Sequence, residues 1–150
     1  MKQRFDYYQA APEALKAQLA LSNYSRNCGL EPALLELVKI RASQINGCAY
    51  CLEMHTRETR AAGETEPRLH LLVAWRESPL YTERERAALE WTEAVTLVAT
   101  SRVPDDVYER ARAQFNESEL VNLTLAICVI NSWNRFAVSF RAVHPLPSTY

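Results

Sequence analysis

The stretch from Pro32 to His55, PALLELVKIRASQINGCAYCLEMH, decides the fold. It opens on a proline, runs through an apolar segment and stops at Gly47, the proline-in, glycine-out asymmetry of an α-helix over 32–46. After Gly47 the chain starts again, and the segment from about Cys48 to Ala62 stops at Gly63. Arg57 and Arg60 fall in its later turns, where positive charge complements the helix dipole. Two helices turned back on each other near Gly47 are therefore expected.

The same punctuation recurs on either side. Residues 12–27 begin at Pro12 and end before Gly29. Thr82-Glu83-Arg84-Glu85 is a capping-box pattern that opens a run to about Thr100. Pro104 opens a segment ending near Phe115, and Ser118-Glu119 precede a long apolar segment from Leu120 to about Ala142, closed by His144-Pro145-Leu146-Pro147. A short helix around Arg68–Trp75 completes the set. Strand signals are nearly absent, and three glycines in 150 residues leave little room for tight turns. About seven helices, short loops and no repeat or linker predict an all-α helical bundle built as one domain over 1–150. At this length folding buries roughly 68–70% of the unfolded chain's surface, enough for a real core.

Composition excludes several functions. A formal charge of −1, with basic and acidic residues nearly equal in number and spread along the chain, offers no stripe for a phosphate backbone, so no nucleic-acid partner is expected. MKQRFDYYQAAPEAL lacks the apolar segment of a secretory signal, and the run LTLAICVI is too short to span a bilayer. These features predict a cytoplasmic protein with no membrane association. Four cysteines in a reducing compartment do not suggest a structural disulfide framework, and a closely spaced pair there points to catalysis or metal binding. Cys28 and Cys128, with no partner nearby in sequence, read as small apolar fillers.

On a helix, Cys48, Cys51 and His55 stand at i, i+3 and i+7 and share one stripe. Helical side chains lean toward the N-terminus, which directs the imidazole over Cys51 rather than Cys48. A first-turn position also favours the thiolate, the reactive form. Other readings stand beside this one: three buried residues on the core face of a helix, or a zinc site, which would need ligands beyond the CxxC and finds no second pair. A thioredoxin-type domain needs a βαβ context that is missing. Upstream, Glu36 is a lone carboxylate on a helix apolar over most of its surface. It can pair with Lys39 at i+3 or, if the two helices fold back, meet His55 and complete a Glu–His–Cys relay.

Glu36, then eleven residues, then Cys48-x-x-Cys51-x-x-x-His55 resembles the alkylhydroperoxidase D-like branch of the carboxymuconolactone decarboxylase superfamily, and Asn131-Ser132-Trp133-Asn134-Arg135 looks like the last helix of its short members. The resemblance implies an all-α fold, homo-oligomers (dimers, trimers or hexamers) and thiol-dependent reduction of a peroxide substrate by a CxxC cycle, with no cofactor and no metal. Carried over by position, Cys51 attacks the peroxide, Cys48 resolves the product as a reversible Cys48–Cys51 disulfide, His55 relays the proton, Glu36 partners His55, and an external dithiol resets the pair. Two alternatives share the fold: a non-catalytic or redox-sensing oligomer, and a decarboxylase-like lyase, which the dithiol disfavours. Tyr50 stands where peroxidase members carry a second histidine, and a phenol of pKa near 10 does not accept a proton at neutral pH. Tyr50 is therefore expected to pack, and His70 and His144 to lie at the surface or cap helices. Trp133 and Arg135 fit core or interface equally.

Overall fold

The computed structural model describes residues 2–144, and among these it contains α-helices, one 3-10 segment and no strand. The helices are α1 (Tyr7–Ala10), α2 (Pro12–Arg26), α3 (Pro32–Asn46), α4 (Ala49–Ala61), α5 (Glu66–Leu71), α6 (Glu83–Thr96), α7 (Val98–Ser101), α8 (Asp105–Gln114) and α9 (Glu117–Phe140), with the 3-10 segment Leu72–Glu77 after α5. The all-α reading is correct. The segment expected near Arg68–Trp75 is α5 and the 3-10 segment together, and the run expected from Thr82 to Thr100 breaks at Leu97 into α6 and α7. α1 has no periodic pattern to announce it; Asp6 starts it by accepting the N–H groups of Tyr8 and Gln9. The Pro145–Pro147 stop lies outside the described residues.

α3 is the central element, and its sequence explains why. Leu34, Leu35, Leu37, Val38, Ile40, Ala42 and Ser43 are all buried, so the helix is covered around most of its circumference. One side carries Leu34, Leu35 and Val38 into a core shared with Trp91 of α6, Phe115 after α8, and Leu123 and Ile127 of α9. Another carries Leu37 and Ile40 against Leu69, Leu72, Trp75, Tyr81 and Leu89. Each fully buried leucine or isoleucine contributes about 1.5–3 kcal/mol of transfer free energy.

The long helices start as their sequences direct. Thr82 and Glu85 form the expected capping box on α6. α9 starts with a second box, made by Asn116 and Glu119 rather than by Ser118. At 24 residues α9 is long and apolar enough to cross a membrane by length and composition alone, a property that the core helices of soluble proteins share. Thr124, Asn131 and Asn134 interrupt the apolar letters without interrupting the helix. Here α9 packs against α2, α3 and α6 as a core helix.

Candidate active site

The site is built on the elbow between α3 and α4. Gly47 ends α3 in the left-handed region, φ 66° and ψ 34°, where a residue without Cβ carries no steric penalty. The next N–H, that of Cys48, donates to the Ser43 carbonyl at 3.0 Å. Cys48 is not in the first turn of α4, as its sequence position suggested; it is the N-cap, in extended conformation, and its sulfur accepts the Cys51 N–H at 3.3 Å. Cys48 and Cys51 are disulfide-bonded with Cα atoms 5.4 Å apart. The pair is buried, at 1% and 3% exposure, against Tyr50, Ala137 and Ala142.

One turn after Cys51, His55 is buried on the same stripe of α4. Its Nδ1 stands 2.9 Å from Glu36 Oε2, while Glu36 Oε1 accepts the Lys39 ammonium at 2.6 Å. The ion pair with Lys39 and the contact with His55 are thus not alternatives; the carboxylate makes both. Burial alone pushes the Glu36 carboxyl up, but the hydrogen bond to His55 and the Lys39 charge outweigh it and hold the group at about 2. Glu36 is therefore an anion at neutral pH, an acceptor only. Nδ1 of His55 must donate to it, which leaves Nε2 as the nitrogen that can exchange a proton.

Cys51, Met54 and His55 open onto one cavity of about 140 Å³, which Cys48 does not line. Tyr7 and Tyr8 of α1, Tyr50, and Trp133 of α9 supply aromatic wall. Trp133 is fixed by its indole N–H, which donates to Ser22 Oγ at 2.7 Å, and by a stacked contact with Tyr8 at 6.1 Å. Burial first, and then the neighbouring phenols of Tyr8 and Tyr50, push Tyr7 up to about 12, so its phenol is neutral. Tyr50 packs beside the dithiol as expected and also faces the cavity.

His70 is exposed and far along the chain from this site, and Arg135 is exposed, its guanidinium donating to the Asn131 carbonyl at 2.8 Å. Cys28 is half-buried against the core, but Cys128 is exposed, which corrects its reading as a filler: it falls on the outward side of α9. Among the described residues no three His, Cys, Asp or Glu side chains converge as a metal site. Sequence reasoning missed Tyr7 and Tyr8, and it missed the half-exposed amide Asn46 with the buried amides Asn131 and Asn134. Asn131 and Asn134, polar residues at i and i+3 inside an apolar helix, were the available signal.

An all-helical bundle that caps one helix with a CxxC dithiol and backs it with a glutamate–histidine pair defines the alkylhydroperoxidase D-like class. The chain belongs to the carboxymuconolactone decarboxylase family, whose model matches residues 12–94. It is 45% identical over 139 residues to the uncharacterized protein YdfG of Bacillus subtilis, covering 93% of this chain and 95% of that one. A crystal structure from Agrobacterium tumefaciens, of a protein of unknown function described as a putative antioxidant defence protein AhpD, superposes with a TM-score of 0.95. It is 51% identical and the match covers 97% of this chain and all of that one. A peroxidase-related protein from Ralstonia eutropha, described as an alkylhydroperoxidase AhpD core, shares the fold at a TM-score of 0.80 with 18% identity, over 92% of this chain and 74% of that one.

Proposed function

We propose that the protein is a thiol-dependent peroxidase that reduces peroxides through the Cys48–Cys51 dithiol. The observation that carries this reading is that Cys51 and His55 open onto one cavity while Cys48 does not. In the reduced protein, His55 takes the Cys51 thiol proton on Nε2 while Glu36 holds the imidazolium through Nδ1. The transfer runs across the cavity onto which both side chains open. The Cys51 thiolate then attacks the terminal peroxide oxygen. The O–O bond breaks, Cys51 becomes the sulfenic acid, and the leaving alkoxide takes the proton from His55 and departs as an alcohol.

Cys48 resolves that product. Its thiolate attacks the Cys51 sulfur, the S–S bond forms and the sulfenic oxygen leaves as water; an external dithiol then returns two electrons to the pair. Cys48 stands at the N-cap of α4 within bonding reach of Cys51, the geometry this step needs. The cycle is at home in the reducing cytoplasm and requires no metal or flavin. Intact mass after one equivalent of organic peroxide tests it: loss of two hydrogens mapped to Cys48–Cys51, with peroxide turnover in the presence of dithiothreitol, is the expected result. A disulfide without turnover would favour the sensing role.

A further inference from the structure

The end of α3 that delivers Cys48 is tied to α9 by a chain of amides, one half-exposed on α3 and two buried on α9. Asn46 Nδ2 donates to Asn131 Oδ1 at 2.9 Å and to Asn134 Oδ1 at 2.8 Å. Asn134, at 1% exposure, sends its own Nδ2 to Ser43 Oγ at 3.0 Å. Ser43 is wholly buried, and its carbonyl accepts the Cys48 N–H. One serine therefore joins α9 through its hydroxyl and the cysteine through its backbone. Asn131 completes the set by donating to Thr96 Oγ1 at 3.0 Å.

Buried amides are costly unless each donor and acceptor is met, so they persist in one relative placement of the helices that carry them. Asn134 meets Asn46 with its oxygen and Ser43 with its nitrogen, so both ends of one amide are engaged on α3, which holds α3 against α9 in one register. Apolar side chains would fill the same space without choosing that register.

We propose that Asn46 and Asn134 are positioning residues for Cys48: they lock the α3–α4 elbow so that the Cys48 sulfur stays in bonding reach of Cys51. This rests on the dithiol cycle above, because it acts on the second half of it. There the Cys48 thiolate displaces the oxygen of the Cys51 sulfenic acid, with one S–S bond formed, one S–O bond broken and water released after protonation. A second peroxide molecule competes for the same sulfenic acid and carries it to sulfinic acid. Asn46 and Asn134 bear no charge, so they act on the effective concentration of one sulfur at the other and not on thiolate stability. Loss of either weakens the disulfide relative to the dithiol.

The test needs no peroxide. Wild type, Asn46→Ala, Asn134→Ala and the double variant are equilibrated in glutathione buffers of graded ratio, quenched by alkylation and read by intact mass. Each single variant is expected to move the midpoint about fivefold toward the dithiol, the size of one net hydrogen bond. The double variant should move it little further, because the residues share a bond. Leu123→Ala, about three turns earlier on α9, removes core packing and should lower the melting temperature while leaving the midpoint in place. Asn46, half-exposed, decides the matter if Asn134→Ala does not fold. An unmoved midpoint in Asn46→Ala, or an equal shift in Leu123→Ala, overturns the proposal. A wild type that ignores peroxide would instead sink the peroxidase reading while leaving this measurement intact. Where wild type does turn over cumene hydroperoxide, Asn46→Ala should yield about fivefold more Cys51 sulfinic acid at the same peroxide excess.

Discussion

His55 Nδ1 and Glu36 Oε2 lie 2.9 Å apart although nineteen residues and a helix reversal separate them in the chain. The contact fixes the imidazole tautomer and leaves Nε2 as the nitrogen that can exchange a proton. His55→Ala and Glu36→Gln should each slow the reaction of reduced Cys51 with peroxide by about ten- to a hundredfold, within the range of general-base contributions. A carboxylate that orients an imidazole loses that role when the imidazole is gone, so the double variant should be little worse than His55→Ala. Alkylation of Cys51 against pH reads this directly: the half-maximal point should move upward in both single variants. An unmoved profile in Glu36→Gln would reduce Glu36 to a partner of Lys39.

The same carboxylate makes stability depend on acid. Its folded value of about 2 lies below the 4.5 of a free glutamate, so the folded state favours the anion. The stabilisation is complete above about pH 4.5 and is lost as pH falls through about 2, below which both states are protonated. Urea unfolding of wild type and Glu36→Gln should therefore differ at pH 6 and converge as pH approaches 2. A stability difference independent of pH over that window would assign the effect to packing.

The two cysteines should fail differently. Cys51→Ser leaves, of the pair, only the sulfur that does not line the cavity, and peptide mapping after one equivalent of organic peroxide should find Cys48 unoxidised. Cys48→Ser keeps the attacking sulfur without its resolving partner, so it should gain one oxygen, trappable with dimedone, and then a second as sulfinic acid. Oxidation of Cys51→Ser at the wild-type rate would exchange the two roles.

Much of this was legible because it is local. Pro32, Gly47 and Gly63 punctuate α3 and α4 with backbone requirements that act within a turn, and the capping box at Thr82 and Glu85 is satisfied within four residues. Glu36 and His55 could be paired because a short elbow forces two adjacent helices together. Tyr7 and Tyr8 could not be placed, since what brings them to the cavity is aromatic contact with Trp133, Phe136 and Phe140 at the other end of the chain. The amides had the same defect: Asn46 and Asn134 look like ordinary helix polar residues until α3 lies on α9. Cys128 was misread because its neighbours are apolar in sequence while its side of the helix faces outward.

The surface around α2 and α9 carries the last expectation, that the protein assembles. Leu21 and Tyr24 on α2 are 46% and 57% exposed, and Val121 and Val138 on α9 are 68% and 50% exposed. Apolar side chains at such exposure, on two helices that pack against each other, mark surface that an oligomer can cover, and a stable contact needs roughly 800 Å² from each partner. Light scattering at micromolar concentration should give a multiple of 17.1 kDa. Val121→Asp places a charge on the most exposed of these side chains, and it should lower the assembled mass without lowering helix content, because Val121 makes no part of the buried core. A wild type that scatters as a 17.1 kDa monomer would sink the expectation. An assembly indifferent to Val121→Asp would move the contact to the other exposed residues, starting with Leu21 and Tyr24.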